Sequence, residues 1–462
     1  MREIETDYLV VGAGATGMAF ADALVAESDA DVVLVDRRHR PGGHWLDAYP
    51  FVRLHQPSAY YGVNSRVLGQ NRVDDEGPNA GFYERATAVE IVDYFNGVLD
   101  EVLVPSGRVR FFAMCDYTGA DAEGHRFVSL LTGVPTRVRV RRRVVDATYI
   151  ESSIPSRHTP AFVIDPGVRM LPPNDLVNLT EPATGFTIIG AGKTAMDTCN
   201  WLLDEGVDAN QIRWIRPRDG WFFNRTYMQP LDLIASYMQL QARFVERAAD
   251  CDGPRSFIEG LETDGIMLRI DPSVQPEVFR GATVSQLELE SLRQIDNIVR
   301  LGRVHRIGTR RIAFENGDLP SDPHQVYVDC TAAGVRPVET RPVFDRDRIT
   351  MQYVTIGVAP WSAATIAAVE ASDRDDHRKN ELCPPVPFTG EASDILALAF
   401  AGMTGLVARG AEADLGTWTE QCRLNPGRGA VDHFDDPQVR TAFESLATNM
   451  GPAMSNLEQI TT

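Results

Sequence analysis

Two glycine-rich turns carry most of the residues in this chain whose types and spacing suggest chemistry. The first reads Gly12-Ala-Gly14-Ala15-Thr16-Gly17, and a carboxylate, Asp36, follows with Arg37 beside it. In such a turn the first glycine bends the chain, the second lets backbone amides approach a pyrophosphate, and the third lets a helix pack close to a strand. Asp36 stands about 20 residues on, where a carboxylate accepts ribose hydroxyls. The second turn reads Gly190-Ala-Gly192-Lys193-Thr194-Ala195, and the strand after it ends in Arg216-Pro-Arg218. A cation at that place suits a 2′-phosphate, which a carboxylate would repel, so the pattern predicts NADPH over NADH. Lys193 is expected near the pyrophosphate, where a helix N-terminus already favours anions. One glycine turn alone is a weak signal. Two in one chain point to paired sites, one holding a flavin dinucleotide (FAD) and one bringing a nicotinamide to it for hydride transfer.

Each turn must be positioned by a buried strand before it and a helix after it. Asp7 to Val11, an Ala-rich helix and Asp31-Val-Val-Leu-Val-Asp36 supply these for the first turn. Phe186-Thr-Ile-Ile, a helix from Ala195 to Leu203, and Gln211-Ile-Arg-Trp-Ile repeat the plan for the second. Residues 86–102 have helical apolar spacing. Arg108 to Tyr149 reads as short strands turning at Gly119 and Gly133 and ending in Asp146-Ala-Thr148. The Pro- and Ser-rich stretch 150–182 reads as a crossover linker. Ile307 to Gly317 predicts a hairpin with an Asn316-Gly317 turn signal, and Gln325 to Gly334 predicts a closing strand. The fold class predicted is α/β, with two Rossmann-like dinucleotide-binding domains, a helical insert and a helical C-terminal extension. The expected boundaries are 1–160 for the first part of the FAD domain and 183–340 for the NADPH domain, with its insert at 229–300. Residues 341–371 would return to the FAD domain, and 372–462 would form the extension, capping a substrate pocket or making a homodimer face.

Composition narrows the partners. A net charge of −19 argues against nucleic acid or an anionic membrane. Six scattered cysteines without a Cys-x-x-Cys pair fit a reducing compartment, with no disulfide framework and no metal site. The first strand begins too early to leave room for a signal peptide. The longest apolar stretch, Tyr353 to Val369, is interrupted by Pro360 and Ser362 and reads as a buried strand and helix. A cytoplasmic, soluble protein is expected.

Beyond the first turn the chain runs Gly42-Gly43-His44-Trp45, then Tyr49-Pro50, Arg53, His55-Gln56, Ser58 and Tyr61. This resembles the class B flavin-dependent monooxygenases, the flavin-containing and Baeyer–Villiger types, whose FAD fingerprint is followed by Gly-Gly-x-Trp. The register Tyr-Pro, Arg, Ser, Tyr resembles the Baeyer–Villiger branch. Phe51 stands where that branch has glycine, and His55 where it has an acid beside the flavin ring. The resemblance therefore implies that His55, Gln56 and Asn64 face the flavin edge or the oxygen being transferred. A histidine titrating near neutrality would pass a proton there. It further implies cofactor contacts at Gly43, His44, Trp45 and Tyr61, at the Met114 and Cys115 backbone beside the adenine, and late in the chain at Ser362, within Met351 to Ala364. It covers roughly residues 6–370.

The activity so implied is NADPH-driven transfer of one oxygen atom from O2 to a small molecule. The Baeyer–Villiger signature Phe-x-Gly-x-x-x-His-x-x-x-Trp is missing from Arg157 to Gly167, so N-, S- or C-hydroxylation is expected over ketone-to-ester oxidation. Disulfide reductases are excluded, because no Cys-x4-Cys pair follows the first turn. The alternatives are a flavoprotein reductase that does not oxygenate, and a non-catalytic flavin-binding module.

Overall fold

The computed structural model describes residues 2–150, 152–355 and 358–461. Two parallel sheets form its frame. In the first, the strand order is Phe344–Asp345, Arg348–Thr350, Pro135–Asp146, Arg2–Val11, Val32–Val35, Val109–Phe112. Every pair from Arg348–Thr350 onward is parallel. Val32–Val35 is buried at each residue, as a strand covered on both faces must be. Helix Ala15–Glu27 covers one face and packs against helix Ala359–Ala371. Both helices are apolar almost all round, because both lie inside the molecule. The apolar stretch 353–369 is thus largely a core helix. The antiparallel hairpin of Cys115–Asp121 and Gly124–Ser129 joins Pro135–Asp146 and covers the other face.

The second sheet runs Ile298–Val299, Ile212–Ile215, Phe186–Ile189, Val326–Asp329, Arg169–Leu171, all parallel. Helices Lys193–Asp204 and Gln286–Leu292 pack on it. Its edge strand Arg169–Leu171 comes from the stretch expected to be a linker. Val163–Ile164 from the same stretch pairs with Val304–Ile307. Both strands are short and partly exposed, so they carry no apolar periodicity to read. The predicted hairpin forms within a meander, Val304–Ile307, Arg311–Phe314 and Gly317–Pro320. Phe314 pairs with Gly317, so the turn residues are Glu315 and Asn316.

The insert differs from the all-helical expectation. It holds strands Met267–Leu268 and Val278–Val284, which pair with Gly220–Asn224 just ahead of it, beside helices Ile234–Asp250 and Pro254–Thr263. The aromatic run Trp221-Phe222-Phe223 is a buried strand, not a lead-in to a helix. Helices Asp376–Leu382, Asp394–Gly410, Ala413–Gln421 and Pro437–Thr461 make up the C-terminal extension. The last lies along Ile234–Asp250, so insert and extension share one core around Phe244, Phe257, Leu396 and Leu457. Among the described residues no single helix is long and apolar enough to cross a membrane. The six cysteines are free and buried.

Candidate functional site at the seam of two dinucleotide folds

The first turn is fixed by contacts that admit only glycine. Gly12 has φ +101°, and a Cβ on Gly17 would lie 1.9 Å from the Gly12 carbonyl oxygen. Gly14 begins helix Ala15–Glu27 with no side-chain cap, leaving the first-turn amides of Ala15 and Thr16 for an anion. The Gly42-Gly43 turn lies directly on this one, and a Cβ on Gly43 would stand 2.9 Å from Gly14 Cα. Asp36 is brought to the same place. Its Oδ2 accepts the Ala13 N–H at 2.6 Å and its Oδ1 the Arg38 N–H at 2.7 Å. Burial pushes its carboxyl above the usual range, against those two hydrogen bonds. Arg37 is exposed beside it. Met114 has φ +52°, and the Cys115 N–H donates to the Asp36 carbonyl at 2.9 Å, so the predicted adenine contacts do adjoin Asp36. Trp45 Nε1 donates to the Tyr61 hydroxyl at 2.7 Å, and the His44 ring lies 4.8 Å from Trp45. Burial and the Arg38 charge push the His44 imidazole down to about 4.

The second turn repeats this plan with more room. Gly190 has φ +129°, and a Cβ there would meet the Cys330 carbonyl at 2.5 Å. Around Gly192 a Cβ would meet nothing within 4 Å, so the turn opens onto free space. Gly192 also begins its helix without a side-chain cap. These uncapped helix starts, one beside the buried Asp36 carboxylate and one facing open space, fit two dinucleotides. Lys193 is buried and paired with Asp197 one helical turn on, and Thr194 is partly exposed next to it. Asp197 also accepts the Tyr49 hydroxyl at 2.8 Å.

The arginines expected at a 2′-phosphate are already engaged. Arg216 is 2% exposed, pairs with Asp219 and stacks 4.9 Å over Trp214. Burial, then the nearby Arg300, lowers its pKa to about 10. Arg218 bonds Glu391 at 2.8 Å. Ser362 is likewise occupied: its hydroxyl accepts the Val354 and Thr355 N–H groups at 3.2 Å, closing the turn before its helix. Ile356 and Gly357 of that predicted late contact lie outside the described residues. Asn64 Oδ1 accepts the backbone N–H of Arg423 at 2.8 Å, so it anchors the C-terminal extension.

His55 sits where the two folds meet. Its carbonyl accepts from Arg225 Nε at 3.2 Å, and the preceding Leu54 carbonyl from Arg85 Nη1 at 3.3 Å. Both arginines pair with Glu288, Arg225 at 2.7 Å and Arg85 at 3.3 Å. All three are buried, with Arg225 at 0% exposure. Burial works to raise the Glu288 carboxyl, but Lys193, Arg225 and Arg85 hold it well below the usual range. The same charges, added to burial, push His55 down to about 3. The expectation of a histidine titrating near neutrality is therefore corrected: His55 is a neutral imidazole. It can exchange a hydrogen bond but is not poised to hold a proton at pH 7.

Two cavities flank this segment. One, of about 360 Å³, is polar and lies between helix Lys193–Asp204, helix Gln286–Leu292 and the chain from 50 to 53. Arg53, Arg85, Asp197 and Glu288 line it, beside Phe51, whose ring stacks on Trp201 at 4.7 Å. The other, of about 70 Å³, is walled by Gln56, Tyr60, Phe223, Tyr237, Phe244 and neighbouring residues. Neither residue type nor spacing marks Arg85, Arg225 or Glu288. Ser285-x-x-Glu288 does carry a capping-box signature, which forms, but that signature marks a helix start and not a buried charge.

Residues 10–62 match the family model for an NAD(P)-binding Rossmann-like domain. Two mycobacterial proteins, Uncharacterized protein Rv2000 of Mycobacterium tuberculosis (strain ATCC 25618 / H37Rv) and Uncharacterized protein Mb2023 of Mycobacterium bovis, are each 45% identical over 425 residues. The match covers 92% of this chain and 78% of theirs. The chain belongs to their family. Among solved structures, it resembles a flavin-containing monooxygenase from Stenotrophomonas maltophilia, at 14% identity and a TM-score of 0.44, over 89% of this chain and 100% of that one. It also resembles a cyclohexanone monooxygenase mutant from Rhodococcus sp. Phi1 bound to NADP+, at 15% identity and a TM-score of 0.49, over 79% and 85%. These scores are low, and the two-sheet architecture described above stands on the chain's own strand pairings.

Proposed function

We propose that this chain is an FAD- and NADPH-dependent monooxygenase that transfers one oxygen atom from O2 to a small molecule. The observation that carries this is the seam itself: two uncapped glycine turns, each in its own parallel sheet, with the Leu54 and His55 carbonyls between them held by charges drawn from both domains. When bound, FAD and NADPH would supply hydride transfer and the activation of O2.

The chain's residues do the rest. Gly12, Gly14, Gly17 and Asp36 hold the first dinucleotide, with Gly43 pressed on the same turn. Gly190, Gly192 and Thr194 receive the second, and the Asp197 pair fixes Lys193 beside it. Arg85 and Arg225 grip the carbonyls of Leu54 and His55, so the His55 ring is presented from a fixed backbone. Neutral at working pH, that imidazole offers one donor and one acceptor without adding charge. The aromatic wall beyond Gln56 keeps water from the reacting atoms. Oxygenation at N, S or C is favoured over ketone-to-ester oxidation, since residues 157–167 lack the signature for the latter.

The test is anaerobic titration of the FAD-loaded protein with NADPH, followed by admission of O2 with candidate substrates. Bleaching of the flavin absorbance, then product formed at less than one peroxide released per NADPH, is the expected result. Bleaching with every electron pair recovered as peroxide would favour a reductase. No bleaching would overturn the proposal.

A further inference from the structure

The larger cavity has walls of opposite sign. The first domain supplies Arg53 and Arg85, and the second supplies Asp197, Asp204 and Glu288. The smaller cavity is different: none of the described residues lining it is charged. Its Pro426 wall is tied down by Arg423, which donates to the carbonyls of Ala59 at 2.5 Å, Tyr61 at 2.8 Å and Val63 at 3.1 Å. Opposite charges brought to one interface ordinarily pair. In the larger cavity Arg85 and Glu288 do so, and Asp197 takes Lys193. Arg53 and Asp204 do not. Among the described residues Arg53 bonds only the Arg85 carbonyl, at 3.1 Å, and the Asp204 carboxylate has no hydrogen bond or ion pair.

Helix Lys193–Asp204 makes this unusual. Asp197, Asn200, Trp201 and Asp204 fall at i, i+3, i+4 and i+7, one stripe along the helix, and all four line the cavity. A stripe turned toward another domain is ordinarily apolar. Here only Trp201 is, stacked on Phe51. Asp204 is the last helical residue, and no base stands in that turn. The helix dipole is negative at this end, so a carboxylate there costs stability unless a cation meets it. Partial burial, then Glu205 and Glu288, push the Asp204 carboxyl above its ordinary range. Asn200 Oδ1 is buried on the same stripe with no donor. On the opposite wall Arg85 is 7% exposed and its Nε has no acceptor. Burial and the Arg225 and Arg53 charges push Arg85 down to about 10, against the pull of Glu288. Each wall lacks an ion of the other sign, with a cavity of about 360 Å³ between them.

We propose that this cavity is a ligand site for an aromatic α-amino acid: Arg53 and Arg85 take its carboxylate, Asn200 and Asp204 its ammonium, and its ring lies beside the Phe51–Trp201 stack. A lone anion or cation would leave one wall unmatched, whereas a zwitterion answers both. Neither glycine turn lines the cavity, so the site is separate from both dinucleotides. The bound molecule would bridge the first domain to the helix that follows the second glycine turn.

The experiment is calorimetric titration of the full-length FAD-loaded protein, with and without saturating NADP+. The probes are L-phenylalanine and two molecules that each lack one of its charges, hydrocinnamate and phenethylamine. L-Phenylalanine is expected to bind at least about 10-fold more tightly than either, with an affinity that NADP+ changes by no more than about 2-fold. Arg53→Gln is expected to weaken L-phenylalanine and hydrocinnamate at least about 5-fold and to leave phenethylamine unchanged. Asp204→Asn is expected to do the reverse, weakening L-phenylalanine and phenethylamine and sparing hydrocinnamate. Both side chains are exposed, and the flavin content of the purified variants reports that the fold is intact. Absence of L-phenylalanine binding, equal binding of the three probes, displacement by NADP+, or indifference to both substitutions overturns the proposal. Binding is read without turnover, so the result is independent of the monooxygenase reading.

Discussion

The two dinucleotide folds are near copies in plan and differ where it matters for a ligand. In both, the first glycine abuts the closing strand, Gly12 against Thr148 and Gly190 against Cys330. In both, the aspartate that ends that strand holds a threonine two residues on: Asp146 Oδ1 accepts the Thr148 hydroxyl at 2.8 Å, and Asp329 Oδ1 that of Thr331 at 2.6 Å. The first turn is then closed over by Gly42 and Gly43, while the second is left open at Gly192. The third position follows suit. Gly17 has no room for a methyl group, and Ala195 carries one in a fully buried site. A closed site suits a ligand that stays; an open one suits a ligand that exchanges.

That contrast can be broken most severely at the third position. Gly17→Val puts carbon atoms into the Gly12 carbonyl, and loss of soluble, FAD-binding protein is expected, read by flavin absorbance after purification. Ala195→Gly, at the matching position, costs about 1 kcal/mol or less. The seam joining the folds comes next. Glu288→Gln strands Arg85 and Arg225 without a counter-charge, and urea unfolding should show a loss of about 3 kcal/mol. Equal stability would mean that the triad does not bind the folds together.

A milder change sharpens the difference between closed and open sites. Gly192→Val fits the backbone, whose φ is −85°, and fills only free space. FAD content should be unchanged, while flavin reduction by NADPH falls at least about 10-fold, or about 1.4 kcal/mol. A parallel loss of FAD would show that the two sites are not independent. A further effect concerns acid. His55 is pushed down to about 3, and an unfolded histidine titrates near 6.5. Between those values the unfolded chain binds the extra proton, so stability falls as pH drops from about 6.5 toward 3. His44, pushed to about 4, acts in the same direction. His55→Gln should therefore narrow the gap between urea midpoints measured at pH 7 and pH 5.

The glycine turns, their strands and their closing strands were legible because each demands a residue type at a fixed place. Gly12, Gly17 and Gly190 have no substitute for steric reasons, and sterics leave a mark in sequence. Arg85, Arg225 and Glu288 left none. Their meaning lies in pairing across 203 and 63 positions of chain, and any one of them alone reads as a surface charge. Arg216 shows the same limit from the other side. Its place at a strand end suggested a phosphate partner, but Asp219, three residues on, takes it first. The insert's sheet was missed because Trp221-Phe222-Phe223 is too short a run to tell a strand from the start of a helix. Tyr237 and Leu240 have the apolar spacing of an ordinary packed helix, yet they line the smaller cavity.

The grip of Arg423 on the 59–63 carbonyls has a consequence for the newborn chain. A ribosome delivers the first glycine turn long before Arg423. The loop that shapes the aromatic cavity therefore waits for a partner more than 350 residues downstream. Helix Ala359–Ala371, which seals the first sheet, also arrives late. The domain built around the first glycine turn is completed only after the second turn has emerged, and a nascent chain stalled before residue 423 would hold both dinucleotide turns but no assembled cavity.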